Sequence, residues 1–256
     1  MTVLITGASG GIGAELARIF ASNRFDVVLV ARNEAKLREL SRELEQSGVR
    51  AEVIAVDLAV PAAARTIVER LAERAIEVDV LVNNAGFGLY GSFRETSLES
   101  ELHMISVNIV ALTELTKRLL PGMVARKRGR ILNLATTGAF FSTPTMAVYC
   151  ATKAYVLSFS EAIADELTGS GVTVTTLCPG PTASGFQAVA HLEESRLVAG
   201  RTLPTAREVA QAGYDALMAG KTLFVHGLSN KIKSQVPRFL PRRLMTRIVR
   251  WVQRPV

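Results

Sequence analysis

Short runs of Val, Ile and Leu recur along this chain, each followed by a stretch of helical character, and that alternation limits the fold more than any other feature. The runs are TVLIT (2–6), DVVLVA (26–31), AEVIAVD (51–57), VDVLVN (78–83), GRILNLA (129–135), GVTVTTLC (171–178) and TLFVHG (222–227). They are nearly continuous in apolar residues instead of alternating with polar ones, the pattern of strands covered on both faces. Helical segments are expected after the first strand to about Ser22, over Asn33–Gly48, from a start at Pro61 (a favoured first-turn position), from about Ser97 to Leu120, and from about Met146 to Thr168. Strand–helix alternation of this kind predicts an α/β fold: a doubly wound, seven-stranded, mostly parallel sheet with helices on both faces.

With 256 residues, 48% of them hydrophobic, the chain can bury a sizeable core. No linker, repeat or low-complexity segment divides it, so one domain is expected over 1–226, followed by a basic extension over 227–256. Residues 227–256 hold eight Lys or Arg and no acid, against +7 for the whole chain, which leaves a body of net −1. The body and its tail therefore need separate explanations. No apolar stretch is long enough to span a bilayer, and MTVLITGASGG carries no basic region or cleavage site, so neither a transmembrane helix nor a secretory leader is expected. Two cysteines, Cys150 and Cys178, make no disulfide framework, and three histidines have no metal-ligand spacing. A cytoplasmic protein without a metal is the expectation.

TGASGGIG (6–13) lies between the first strand and the first helix. Gly7, Gly11 and Gly13 permit the tight turn and close backbone approach that a pyrophosphate needs at a helix N-terminus. After the second strand, where a site for NAD usually places an acid for the ribose 2′-hydroxyl, this chain has Ala31 followed by Arg32. An arginine fork matches a 2′-phosphate, so NADP(H) is the expected cofactor. Asp57 and Leu58 after the third strand could bracket the adenine, and NNAG (83–86) after the fourth supplies polar groups and a glycine near the riboses.

VYCATKA (148–154) sets a tyrosine and a lysine four residues apart, on one face of a helix. Beside Tyr149, Cys150 reads as a small buried hydrophobe or, less simply, a redox switch.

These pieces, TGASGGIG, NNAG, Asn108 in SVNIVAL, YCATK and CPGP (178–181), occur in one order over roughly residues 2–185. The chain resembles the single-domain short-chain dehydrogenase/reductase family, and within it the bacterial NADP-dependent members. The resemblance implies a Rossmann-like fold and an NADP(H)-dependent enzyme that reduces a carbonyl. Tyr149 would be its general acid, Lys153 would lower the tyrosine pKa and hold the nicotinamide ribose, and Asn108 would keep a water-linked proton path to Lys153. Cofactor contacts would come from Gly7, Ser9, Gly10, Gly11, Ile12 and Gly13, from Asn84, Ala85 and Gly86, and from Pro179 and Gly180.

Two positions depart from the family pattern. The usual serine thirteen residues before the tyrosine is Thr136, with Thr137 beside it as a competitor. Threonine keeps the hydroxyl donor but its methyl stiffens χ1 and narrows the pocket. The usual threonine after CPGP is Ser184, with Thr182 as an alternative hydroxyl.

Phe87, Leu89, Tyr90, Phe93, Phe140 and Phe141 form either an apolar pocket wall or core; as a wall they suit a hydrophobic ketone, aldehyde or 3-oxoacyl group. Phe186–Leu203, with Glu193, Glu194, Arg196 and Arg201, would be a substrate lid. The tail sequence PRRLMTRIVRWVQR, read as a helix, has Arg243, Arg247, Arg250 and Arg254 on one face and Leu244, Met245, Ile248, Val249 and Val252 on another, with Trp251 near the boundary. Such a helix fits peripheral contact with the inner membrane face, or packs on its own domain or a second subunit. No nucleic-acid module is recognisable. Family members are commonly dimers or tetramers, and a non-catalytic NADP(H)-binding regulator is the rival to the enzyme.

Overall fold

The computed structural model describes residues 1–185 and 202–252. Seven strands form one sheet in which every pairing is parallel: β1 (Thr2–Thr6), β2 (Asp26–Ala31), β3 (Ala51–Ala55), β4 (Val80–Asn83), β5 (Gly129–Leu134), β6 (Val172–Cys178) and β7 (Leu223–Val225). Their order is β3-β2-β1-β4-β5-β6-β7, so the direction of winding reverses between β1 and β4. Loops leaving the C-terminal ends of strands on both sides of that reversal meet in one crevice.

Successive residues of each strand feed opposite layers. Val3 and Ile5 of β1 pack with Leu16 and Phe20 of α1 (Gly11–Ser22), Leu37 and Leu40 of α2 (Glu34–Glu45), and Val209 and Leu217 of α7 (Ala206–Met218). Leu4 faces the other way, toward Ile67 of α3 (Ala63–Glu73), Leu115 of α5 (Leu112–Ala125) and Ile163 of α6 (Ala147–Glu166). This two-sided burial is why the strands read as continuous apolar runs.

Two local features differ from expectation. Pro61 lies two residues ahead of α3, because Ala62 takes a left-handed φ of 71° and delays the helix. The long helix after β4 is interrupted: α4 (Leu98–Ile105) passes through a π turn at Ser106–Ala111 before α5. Helix α7 carries a capping box, with Thr205 accepting from the Glu208 amide while the Glu208 carboxylate accepts from Thr205. Beyond β7, α8 (Leu228–Gln235) and α9 (Arg242–Val252) make up the tail. The expected lid residues 186–201 and Arg254 lie outside the described residues.

Candidate active site

The parallel sheet delivers Gly7, Arg32, Asp57, Asn84, Thr136 and Pro179 to one edge, since each follows the C-terminal end of a strand. At β1, Gly7 has a φ of 67°, a left-handed value that favours glycine. Gly13 is required for a different reason: a Cβ there would lie 2.4 Å from both the Gly7 carbonyl oxygen and Asn84 Nδ2. Helix α1 thus starts tight against the strand, with no side-chain cap and no acid in its first turn. A Cβ on Gly10 would meet nothing within 4 Å. A first turn without an acid, beside open space at Gly10, fits a dinucleotide's pyrophosphate.

Asn84 serves this loop as a strut. Its Nδ2 donates to the carbonyls of Thr6 (2.9 Å) and Gly7 (3.2 Å), while the backbone amides of Asn84 and Ala85 donate to Thr6 Oγ1. Its amide group is therefore held by the glycine turn. Arg32 is mostly exposed and stands 3.9 Å from Asp57, whose other carboxylate oxygen accepts from the Ala59 amide. That long, solvated pair restrains the guanidinium only weakly. Leu58 is 8% exposed and its side chain packs into the core near Ile67, which leaves its backbone as the part at the edge. Of the two hydroxyls after CPGP, Thr182 is buried and donates to the Gly180 carbonyl, while Ser184 Cβ lies 3.5 Å from where a Cβ on Gly11 would be. Ser184 is the one that faces the phosphate loop.

The catalytic candidates converge from three elements. Lys153, only 5% exposed, donates from Nζ to the Leu134 carbonyl at 2.8 Å. Asn108 sits in the π turn, where its Nδ2 donates to the Phe87 carbonyl (3.1 Å) and Thr152 Oγ1 (3.0 Å) and its Oδ1 accepts from the Phe87 amide (3.2 Å). A π turn widens the helix by one residue, which brings Asn108 onto this loop; such turns are frequent at functional sites. Gly86 lies between the two: a Cβ there would be 2.9 Å from Asn108 Oδ1 and 3.1 Å from Lys153 Nζ. Any larger residue would fill the space into which the lysine and asparagine point.

Thr136, and not Thr137, is at the tyrosine. Its extended backbone (φ −163°) ends β5, and Thr137 already begins a 3-10 turn, Thr137–Phe140. Thr136 Oγ1 donates to the Pro179 carbonyl at 3.2 Å, and its hydroxyl lies beside the Tyr149 phenol. Burial drives the Tyr149 pKa well above the tyrosine range, with the neighbouring Thr136 hydroxyl opposing it. Lys153 Nζ is held at the Leu134 carbonyl, and burial pulls its own pKa down to about 8. The phenol is accordingly protonated at neutral pH. Burial pushes Cys150 up to about 11, and the thiol packs beside Met146, which fits an apolar role.

The aromatic residues divide between wall and core. Tyr90 packs with Met146 and Tyr149, Phe87 packs edge-on against His103 at 5.4 Å, Phe140 joins the core around Val156, and Phe93 is exposed. Sequence reasoning overlooked Thr152, which orients Asn108, and Asn230 of α8, whose Nδ2 would be 2.5 Å from a Cβ on Gly180.

The short chain dehydrogenase family model matches residues 1–195. This chain belongs to the short-chain dehydrogenase family. Ketoacyl reductase HetN of Nostoc sp. is 35% identical over 179 residues, a match covering 70% of this chain and 62% of that protein. The very-long-chain 3-oxoacyl-CoA reductase of Mycosarcoma maydis is 36% identical over 68% of this chain and 51% of its own length. The chain thus spans between half and two thirds of these two relatives. Among solved structures, a short-chain dehydrogenase from Sphingobium yanoikuyae in complex with NADPH superimposes with a TM-score of 0.82 at 31% identity, covering 94% of this chain and 96% of that one.

Proposed function

We propose that this short-chain dehydrogenase is an NADPH-dependent reductase of hydrophobic carbonyl compounds, with Tyr149 as the general acid. The observation that carries the reading is the Tyr149 phenol, kept protonated by burial beside a Thr136 hydroxyl that is itself fixed on Pro179. NADPH, when bound, supplies the hydride. The substrate oxygen accepts hydrogen bonds from Thr136 and Tyr149 as negative charge develops on it, and Tyr149 transfers its proton. Lys153, held at Leu134, and Asn108, held at Phe87, are positioned to keep a water-linked path along which the proton is replaced from solvent.

Preference for NADP(H) is supported by Arg32 at the end of β2, by the lack of an acid at Ala31, and by the NADPH complex of the Sphingobium relative. Gly10, Gly11, Ile12 and Gly13 would hold the pyrophosphate, with Ser9 at the turn's tip. Ala85, Gly86 and Lys153 would meet the nicotinamide ribose, and Pro179, Gly180 and Ser184 the carboxamide. Tyr90 and Met146 beside Tyr149 support an apolar substrate, and two relatives named for ketoacyl reduction make a 3-oxoacyl group the leading class. Leu102, Val110 and Tyr155 are exposed on the helices after β4 and β5, which supports a homodimer or homotetramer built there. NADPH oxidation across a panel of ketones, aldehydes and 3-oxoacyl thioesters tests the proposal, with Tyr149→Phe as control. Tight NADPH binding without turnover of any compound would overturn it in favour of a regulator.

A further inference from the structure

Of the fourteen exposed large hydrophobic residues among the described ones, six lie in the tail. On α8, Asn230 and Ser234 face inward, Asn230 against Gly180 and Ser234 at 2% exposure. Leu228 and Ile232, one turn apart on the same helix, point to solvent at 76% and 61%. Phe239, just beyond, is 83% exposed. Helix α9 repeats the arrangement: Met245, Val249 and Val252 form its sheltered stripe, while Leu244, Ile248 and Trp251 form an exposed one. Arg243, Arg247 and Arg250 run parallel to that exposed stripe at the neighbouring positions, and Arg242, Lys231, Lys233 and Arg238 are exposed as well. No acidic residue occurs after position 226.

We propose that residues 228–252 are an interfacial docking surface for an anionic lipid bilayer. Exposed apolar side chains at helical spacing would enter the headgroup boundary, and the arginine and lysine side chains would meet lipid phosphates. The body of this chain carries 23 acids against 22 Lys or Arg, so its charge is nearly balanced, whereas an anionic bilayer presents one sign across its whole surface. The charge without any acid therefore selects the bilayer. No helix of the described residues is long and apolar enough to cross a membrane, so contact is along the surface. The inner side of α8 packs on the Thr137–Phe140 turn beside Thr136. Docking through its outer side would set that turn one helix diameter, about 10 Å, from the lipid.

The test is sedimentation of the full-length protein with vesicles of phosphatidylcholine alone and of phosphatidylcholine mixed with phosphatidylglycerol. Two variants accompany it, Arg243→Glu/Arg247→Glu/Arg250→Glu and Leu228→Ser/Ile232→Ser/Phe239→Ser, each checked for a native melting transition and for molecular mass by light scattering. The wild type is expected to bind the anionic vesicles and be released by salt. At about a fivefold factor per basic residue at the surface, the arginine variant should partition at least ~100-fold more weakly. The serine variant should lose binding while keeping the wild-type mass. Wild-type protein that ignores anionic vesicles, or that binds neutral ones equally well, overturns the proposal. So does a serine variant that still binds but falls to a smaller assembly, since the surface would then join copies of the chain. None of these readouts depends on carbonyl reduction, so they stand whatever the substrate panel returns.

Discussion

Thr136 is fixed on Pro179 beside Tyr149: its Oγ1 donates to the Pro179 carbonyl at 3.2 Å, and its side chain lies next to the phenol. The methyl that distinguishes it from serine does not turn the hydroxyl away, because the extended backbone at the end of β5 already aims the side chain at the site. Thr136→Ser is therefore expected to keep kcat within about threefold of wild type, while Thr136→Val loses ~10²-fold or more, the scale for removing one positioned donor to a developing oxyanion. Steady-state kinetics on any accepted ketone decides between these outcomes; equal activity of the valine variant would remove Thr136 from the mechanism.

Tyr149→Phe should lower kcat by ~10²–10⁴, the usual worth of general acid assistance, with NADPH affinity little changed. Because burial holds the phenol protonated, reduction should stay level through neutral pH and decline only in the alkaline range. Alcohol oxidation, which needs the phenolate, should rise with pH over the same span. A reduction rate that falls on going from pH 6 to 8 would contradict the protonated phenol.

Lys153 links the site to stability. Its pKa falls from the ordinary lysine value of 10.5 to about 8 in the folded protein. Between those two values the unfolded chain binds more protons than the folded one, so stability rises with pH across that window; below about 8 the full cost of the buried ammonium is present. Relative to Lys153→Met, cofactor-free wild type should gain on the order of 3 kcal/mol between pH 7 and 10.5, since one pKa unit is about 1.4 kcal/mol. Urea denaturation of both proteins at a series of pH values measures this, and a constant difference would refute it.

Exchanging Arg32 for Asp should reverse cofactor preference. Arg32 is tied only loosely to Asp57, at 3.9 Å, and is available to a 2′-phosphate. Losing a charge-assisted contact worth about 1.5–3 kcal/mol predicts ~10–100-fold weaker NADPH binding, with NADH affected much less. Fluorescence titration with both nucleotides is the measurement.

Gly86→Ala should impair catalysis without unfolding the protein. The added methyl would press on Asn108 Oδ1 and Lys153 Nζ, at 2.9 and 3.1 Å, where both side chains are already fixed by hydrogen bonds. A loss of tenfold or more in kcat/KM, at a melting temperature within a few degrees of wild type, is expected for a displaced proton-transfer group. A variant with wild-type kinetics would show that the space beside Gly86 is not used.

The architecture was legible in the sequence because it rests on local periodicity. Apolar runs buried on both faces and helices between them announce a parallel sheet, and the same order of strands puts the glycine turn, Arg32, NNAG, Thr136 and CPGP at one edge. The Tyr149–Lys153 spacing was equally local, one helical turn. What only the tertiary structure decided involves partners far apart in the chain. Asn108 is oriented by Phe87 and Thr152, 21 and 44 residues away, through a π turn that no local pattern marks. Asn84 turned out to brace the Thr6–Gly7 turn across 78 residues, Leu58 went into the core, and Asn230 closed on Gly180. Spacing along a chain determines which face a residue shares with its neighbours; which hydrogen bonds it makes depends on what the other elements bring there, and a buried polar group takes the partner within reach once the layers have packed.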